Sequence, residues 1–92
     1  MFTEEELKNS EEFKTSIIGR VALIHNVYYD SEGEPLYIVL YSQMGKWTIM
    51  RFWKSPNKKT ELNKIRVKKD YQNISTEEAF KVLLSEYSRG LV

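Results

Sequence analysis

One side chain in this sequence is suited to proton transfer near neutral pH. His25 is the sole histidine and lies in the apolar run Val21-Ala22-Leu23-Ile24-His25, where an imidazole most simply serves packing. If a sheet brought it to the same side as Tyr37 and Arg51, the three would suit an anion or a phosphoryl group. The rest of the catalytic inventory is empty. There is no cysteine, no HExxH, no glycine-rich phosphate loop and no metal-spaced His/Cys cluster. Asp30, Glu32 and Glu34 resemble a calcium loop only loosely. Gly33 falls at its fourth position rather than its sixth, and Tyr41 stands where the bidentate glutamate belongs. The expectation is a protein that is not an enzyme and holds neither metal nor cofactor.

Binding chemistry is better represented. Eight of the fourteen basic residues fall between Arg51 and Lys69. Lys54, Lys58, Lys59, Lys64, Arg66, Lys68 and Lys69 stand near Trp47, Phe52 and Trp53. Cations for phosphates beside rings for unpaired bases are the means of single-strand binders. A lysine-rich loop and edge strand have the same composition with no ligand at all. Five of the thirteen acids lie in residues 1–12 and three in the 30–34 turn, so a net charge of +1 conceals a segregated surface.

Residues 36–53 read as strand, turn, strand, apolar on both faces. Leu36, Ile38 and Leu40 alternate with Tyr37, Val39 and Tyr41; Trp47, Ile49, Arg51 and Trp53 alternate with Thr48, Met50 and Phe52. An antiparallel sheet with one solvated face alternates apolar with polar, so here the second face needs a cover. Tyr37, Tyr41, Trp47 and Trp53 can each bury roughly 150–250 Å², and their sum of ~800 Å² exceeds the ~300–600 Å² patch a monomer usually exposes. Tyr37, Tyr41, Trp47, Arg51 and Trp53 are therefore the expected contact set for another protein, as in a small inhibitor or adaptor. If the N-terminal helix leaves this face open, a two-fold homodimer is expected through it. Nucleic-acid binding through residues 51–69 is the alternative.

Ninety-two residues, 41% hydrophobic and 29% charged, suit one soluble α+β domain over residues 1–92. The absence of cysteine and of an 18-residue apolar stretch, with the acidic start Thr3-Glu4-Glu5-Glu6, points to a cytoplasmic protein off the membrane. Asn73-Ile74-Ser75 matches a glycosylation sequon but lacks the secretory context. Abundant Lys, Asn, Ile and Tyr suit an A+T-rich bacterial or phage genome.

The elements follow from caps and periods. Thr3 with Glu6 forms a capping box and Phe2 with Leu7 a hydrophobic staple, predicting a helix to about Lys14 with a break near Ser10. A strand over 17–29 follows, closed by a turn in which Gly33 is left-handed. Gln43-Met44-Gly45-Lys46 reads as a type I turn plus a glycine bulge, pairing Ser42 with Lys46. Pairing Asp30 with Glu34 and Ser42 with Lys46 predicts one face of Ala22, Ile24, Leu36, Ile38, Leu40, Met50 and Phe52. The other carries Leu23, His25, Val27, Tyr37, Val39, Tyr41, Trp47, Ile49, Arg51 and Trp53. Residues 54–61 have loop composition, and 62–68 suit a lysine-bearing edge strand. Ser75 with Glu78 caps a final helix, stopped by Gly90. Its stripe is Ala79, Phe80, Leu83, Leu84 and Tyr87, and Phe80, Leu83 and Leu84 are expected against Ile38, Leu40 and Met50. The expected fold is an antiparallel meander of three or four strands. It has an N-terminal helix, and a C-terminal amphipathic helix packs on one sheet face.

Overall fold

Two serine and threonine caps shape the N-terminus of the computed structural model. It describes residues 2–29, 31, 33–57 and 62–88, with backbone alone for 55–57, 62–64 and 86–88. Thr3 Oγ1 accepts from the Glu6 N–H at 3.1 Å and opens α1, Glu4–Asn9. The expected break is at Ser10. Its Oγ accepts from the Phe13 N–H at 3.2 Å and donates to the Leu7 carbonyl at 2.6 Å, ending one helix and capping α2, Glu11–Ser16. Phe2 and Leu7, the staple pair, are both buried.

Four strands follow as an antiparallel meander in the order β1-β2-β3-β4: Arg20–Tyr29, Pro35–Gln43, Lys46–Asn57 and Leu62–Ile74. The C-terminal helix α3 spans Thr76–Ser88, with the Ser75 hydroxyl accepting from the Glu78 N–H at 3.1 Å. The expected α+β class, meander and helix placement are all present. Three boundaries differ: β1 begins at Arg20 rather than at residue 17, where Ile17 still caps α2. β3 runs on to Asn57 where a loop was expected, and β4 continues to Ile74. The β3 extension lies beyond the end of β2, so Pro56, paired with Asn63, owes no ladder bond on its other side. Asp30, Glu32, Lys58, Lys59 and Gly90 lie outside the described residues.

The expected faces are corrected in one respect: β2 is turned over. The β2–β3 turn is a two-residue loop, with Met44 at φ 52° and Gly45 at φ 76°, and it pairs Gln43 with Lys46 rather than Ser42 with Lys46. Both positive φ values are those of a type I′ turn, whose twist matches the strands. Ile38 then faces Arg51, Val39 faces Met50 and Tyr37 faces Phe52. On the other side Tyr29 pairs with Pro35, as the expected turn requires, but a bulge at Val27 shifts the rest so that His25 meets Ile38 and Ile24 meets Val39. A one-residue shift on each flank moves every β2 side chain to the opposite face.

Each face consequently mixes aromatic and aliphatic residues. Under α1 and α2 lie Tyr37, Val39, Tyr41, Met50 and Phe52 with Phe2 and Leu7, joined by Phe13, Ile17, Val21, Ile24 and Ile65. Under α3 lie Ile38, Leu40, Ile49 and Ala79, joined by Leu23, Val27, Trp47, Ile74, Val82 and Leu83. The expected α3 stripe is also corrected. Ala79, Val82 and Leu83 face the sheet, whereas Phe80 and Leu84 are 62% and 51% exposed and Met50 belongs to the opposite face. The helix rests on the sheet through alanine, the one stripe residue small enough to let the backbones approach closely.

Candidate functional site

The five expected contact residues separate into two groups. Tyr37 and Tyr41 are core. Their hydroxyls donate to the carbonyls of Phe2 at 3.2 Å and Ser16 at 3.3 Å, holding both ends of the helix pair to the sheet, and Phe2 meets Tyr37 edge-on. Burial, then the negative charges of ionised Tyr29, Glu4, Glu6 and Glu34, push the Tyr37 phenol above its ordinary range. The N-terminal helix pair covers Tyr37 and Tyr41 but not Trp47, Arg51 or Trp53, so the face on which the homodimer was expected is divided between the two sides of the sheet. Trp47, Arg51 and Trp53 share one face, as expected, but it is the face that carries α3, which was expected on the opposite side of the sheet. Trp47 is half-buried, and its indole Nε1–H donates to Thr76 Oγ1 at 2.7 Å, fastening the start of α3.

α3 covers only part of this face. Leu36, Arg51 and Trp53 stand outside the cluster beneath it and border an open concavity of about 220 Å³, with Tyr28, Glu34, Pro35 and Lys68. Cross-strand pairing explains the grouping, since directly opposed residues share a face. Tyr28 pairs with Leu36, Leu36 with Trp53 and Trp53 with Arg66; in the next row Arg51 pairs with Lys68. Pro35 is buried and half-buried Leu36 and Trp53 continue the apolar surface, while Tyr28 is 51% exposed.

The charges at this site are of both signs. Arg51 Nε lies 2.7 Å from Asp70 Oδ2, and Lys68 Nζ lies 3.9 Å from Asp70 Oδ1. Glu34 is engaged too, with its Oε2 accepting from the Phe2 N–H at 3.0 Å. The concavity thus adjoins the anchored N-terminal segment.

Strand alternation divides the basic segment between the two faces. Arg66 and Lys68 share the α3 face, whereas Lys54 pairs with Ile65 and Lys69 with Met50, both on the helix-pair side. Lys64 is placed by register opposite Ser55, and Lys58 and Lys59 lie outside the described residues. The anion-binding trio does not assemble. His25 is half-buried opposite Ile38 on the Arg51 face, and Tyr37 is on the other. No group of three His, Cys, Asp or Glu side chains could hold a metal among the described residues, and no helix there is long and apolar enough to cross a membrane.

Sequence reasoning missed Tyr28, Leu36, Glu34 and Asp70. Asp70 had a usable signal, two residues beyond Lys68 on a strand and hence within reach of one side of it. Tyr28 had none, because its face depends on the bulge at Val27. The chain matches no protein-family profile, no curated protein and no solved structure.

Proposed function

We propose that this chain is a non-catalytic protein-binding module that engages its partner through the concavity around Trp53. The supporting observation is apolar sheet surface that α3 leaves open, built from Tyr28, Leu36 and Trp53 and bordered by Glu34, Arg51 and Lys68. Tyrosine, tryptophan and arginine are enriched where proteins meet, and an aromatic anchor in a partly desolvated hollow is the usual centre of such a contact. The mixed rim suits a protein surface better than a polyphosphate, which would meet Glu34 and Asp70 as like charges.

The second reading, nucleic-acid binding, has one specific observation in its favour: exposed Arg66 sits directly across from Trp53. The two readings separate in one experiment. A protein captured from the native host is identified, purified and titrated calorimetrically against the wild-type chain and Trp53→Ala. The protein-binding reading expects a loss of about tenfold or more for an anchor residue. Equal affinity of Trp53→Ala removes the concavity from the contact. Tight binding of single-stranded DNA or RNA that falls steeply with salt favours the second reading instead.

A further inference from the structure

The two outer strands offer different edges to a partner. β1 is interrupted by bulges at Ala22 and Val27, which twist an edge away from regular pairing. β4 pairs residue for residue with β3 from Leu62 to Lys69, and on its other side it meets no strand among the described residues. That regular stretch is the edge on which a further strand could form a ladder.

Three of its four basic residues hold alternate positions, and the fourth, Lys69, lies on the opposite face. Exposed Arg66 and Lys68 stand on the α3 face two residues apart, and Lys64 holds the preceding alternate position. Arg66 has no acid within ion-pair range among the described residues; Lys68 reaches Asp70 at 3.9 Å, and that carboxylate already sits 2.7 Å from Arg51. Like charges directly opposed across strands are destabilising, which bears on what can dock here. A two-fold pairing of β4 with a second copy, centred on Val67, sets Arg66 against Lys68 of the partner subunit twice. Centred on Arg66, it opposes the two Arg66 side chains and sets each Lys68 against Lys64 of the partner subunit. Basic residues on an edge guard it against its own kind, and the same guard attracts an opposite charge.

Building on the protein-binding reading above, we infer that the partner contributes an extended acidic segment that adds as a fifth strand to the outer edge of β4. Its carboxylates, at alternate positions, stand beside Arg66 and Lys68. Main-chain hydrogen bonds supply affinity and the alternating charges supply specificity. The added strand widens the α3 face next to the Trp53 concavity, so the rest of the partner lies over that hollow.

Peptides of about ten residues, one average strand and a little more, test this against the full chain by fluorescence anisotropy. One alternates Glu with Val. A second has the same sequence with every edge-facing main-chain nitrogen methylated, which keeps the charge and prevents strand pairing. A third alternates Lys with Val. The first is expected to bind about tenfold or more tightly than either other, to weaken about tenfold in Arg66→Glu/Lys68→Glu, and to weaken with salt. Amide exchange should slow across residues 64–69 when it binds. Equal binding of the methylated peptide, or unchanged binding to Arg66→Glu/Lys68→Glu, overturns strand addition and leaves the protein-binding reading intact. Absence of peptide binding also overturns the inference; it removes the protein-binding reading only if a single-stranded oligonucleotide binds in its place. Both residues are exposed, and Arg66→Gln/Lys68→Gln with an unchanged melting temperature controls for folding.

Discussion

Arg51 Nε and Asp70 Oδ2 stand 2.7 Å apart, the carboxylate side chain only 10% exposed and the arginine 32%. Asp70 thereby fixes an arginine at the border of the hollow beside Trp53. Removing one member of a largely desolvated pair costs more than the pair itself contributes. Asp70→Ala is expected to lose about 1–3 kcal/mol in urea melts, and Arg51→Met/Asp70→Leu to lose less than the sum of its single changes. Additive losses would show that the two charges act independently.

The β2–β3 turn holds Met44 at φ 52°, a conformation asparagine tolerates better. Met44→Asn, next to Gly45, is expected to stabilise the fold by about 0.5 kcal/mol. Gly45→Ala should cost about 1 kcal/mol. If Met44→Asn destabilises by a similar amount, the turn is not type I′ and the register of β2 is wrong.

Gly19 approaches β2 so closely that a Cβ there would fall on the Ser42 carbonyl oxygen, a backbone atom that cannot swing aside. Gly19→Ala is expected to cost about 1–3 kcal/mol, the range of an overpacked core site. Amide exchange should report its effect first at the start of β1. A neutral Gly19→Ala would place the crossing from α2 to β1 farther from β2.

The rotation of α3 can be checked by two substitutions one residue apart. Ala79 is 3% exposed against Ile38, Leu40 and Ile49, so Ala79→Leu should cost about 1–3 kcal/mol. Phe80 is 62% exposed, and Phe80→Ser should stay within about 0.5 kcal/mol. The reverse order would restore Phe80 to the sheet.

Tyr37 makes stability depend on alkaline pH. Its folded pKa is raised above the ordinary 10.0, chiefly by burial, so between those two values the unfolded chain has already lost a proton that the folded chain keeps. This contribution is complete below pH 10.0 and is lost as pH rises through the folded value. Tyr37→Phe should flatten that decline. The absorbance difference at about 295 nm between the two proteins should titrate above the ordinary tyrosine range.

Caps and alternation made most of the fold legible: Thr3 and Ser75 were legible as helix starts and Ser10 as a break, and β1, β3 and β4 lie near their expected positions. The faces of β1 and β3 also agree. What alternation could not convey was β2, because a strand apolar on both sides fits either way up. Its orientation was left to Met44-Gly45, where methionine gives no sign of a type I′ turn, and to the bulge at Val27, which no residue type announces. Trp47, Arg51 and Trp53 were found as a group because their spacing within one strand is independent of register. Tyr37 and Tyr41 were misplaced with them because they belong to the strand that turned over.

The sheet also acts as a partition. The cluster beneath the helix pair and the cluster beneath α3 have no side chain in common, so each can be repacked with only the β-ladder between them. Substitutions on opposite sides are then close to independent in their effects. Under selection this would let one side drift to keep the chain folded while the other, with Trp53 and Tyr28 at its margin, is reshaped to follow a changing target.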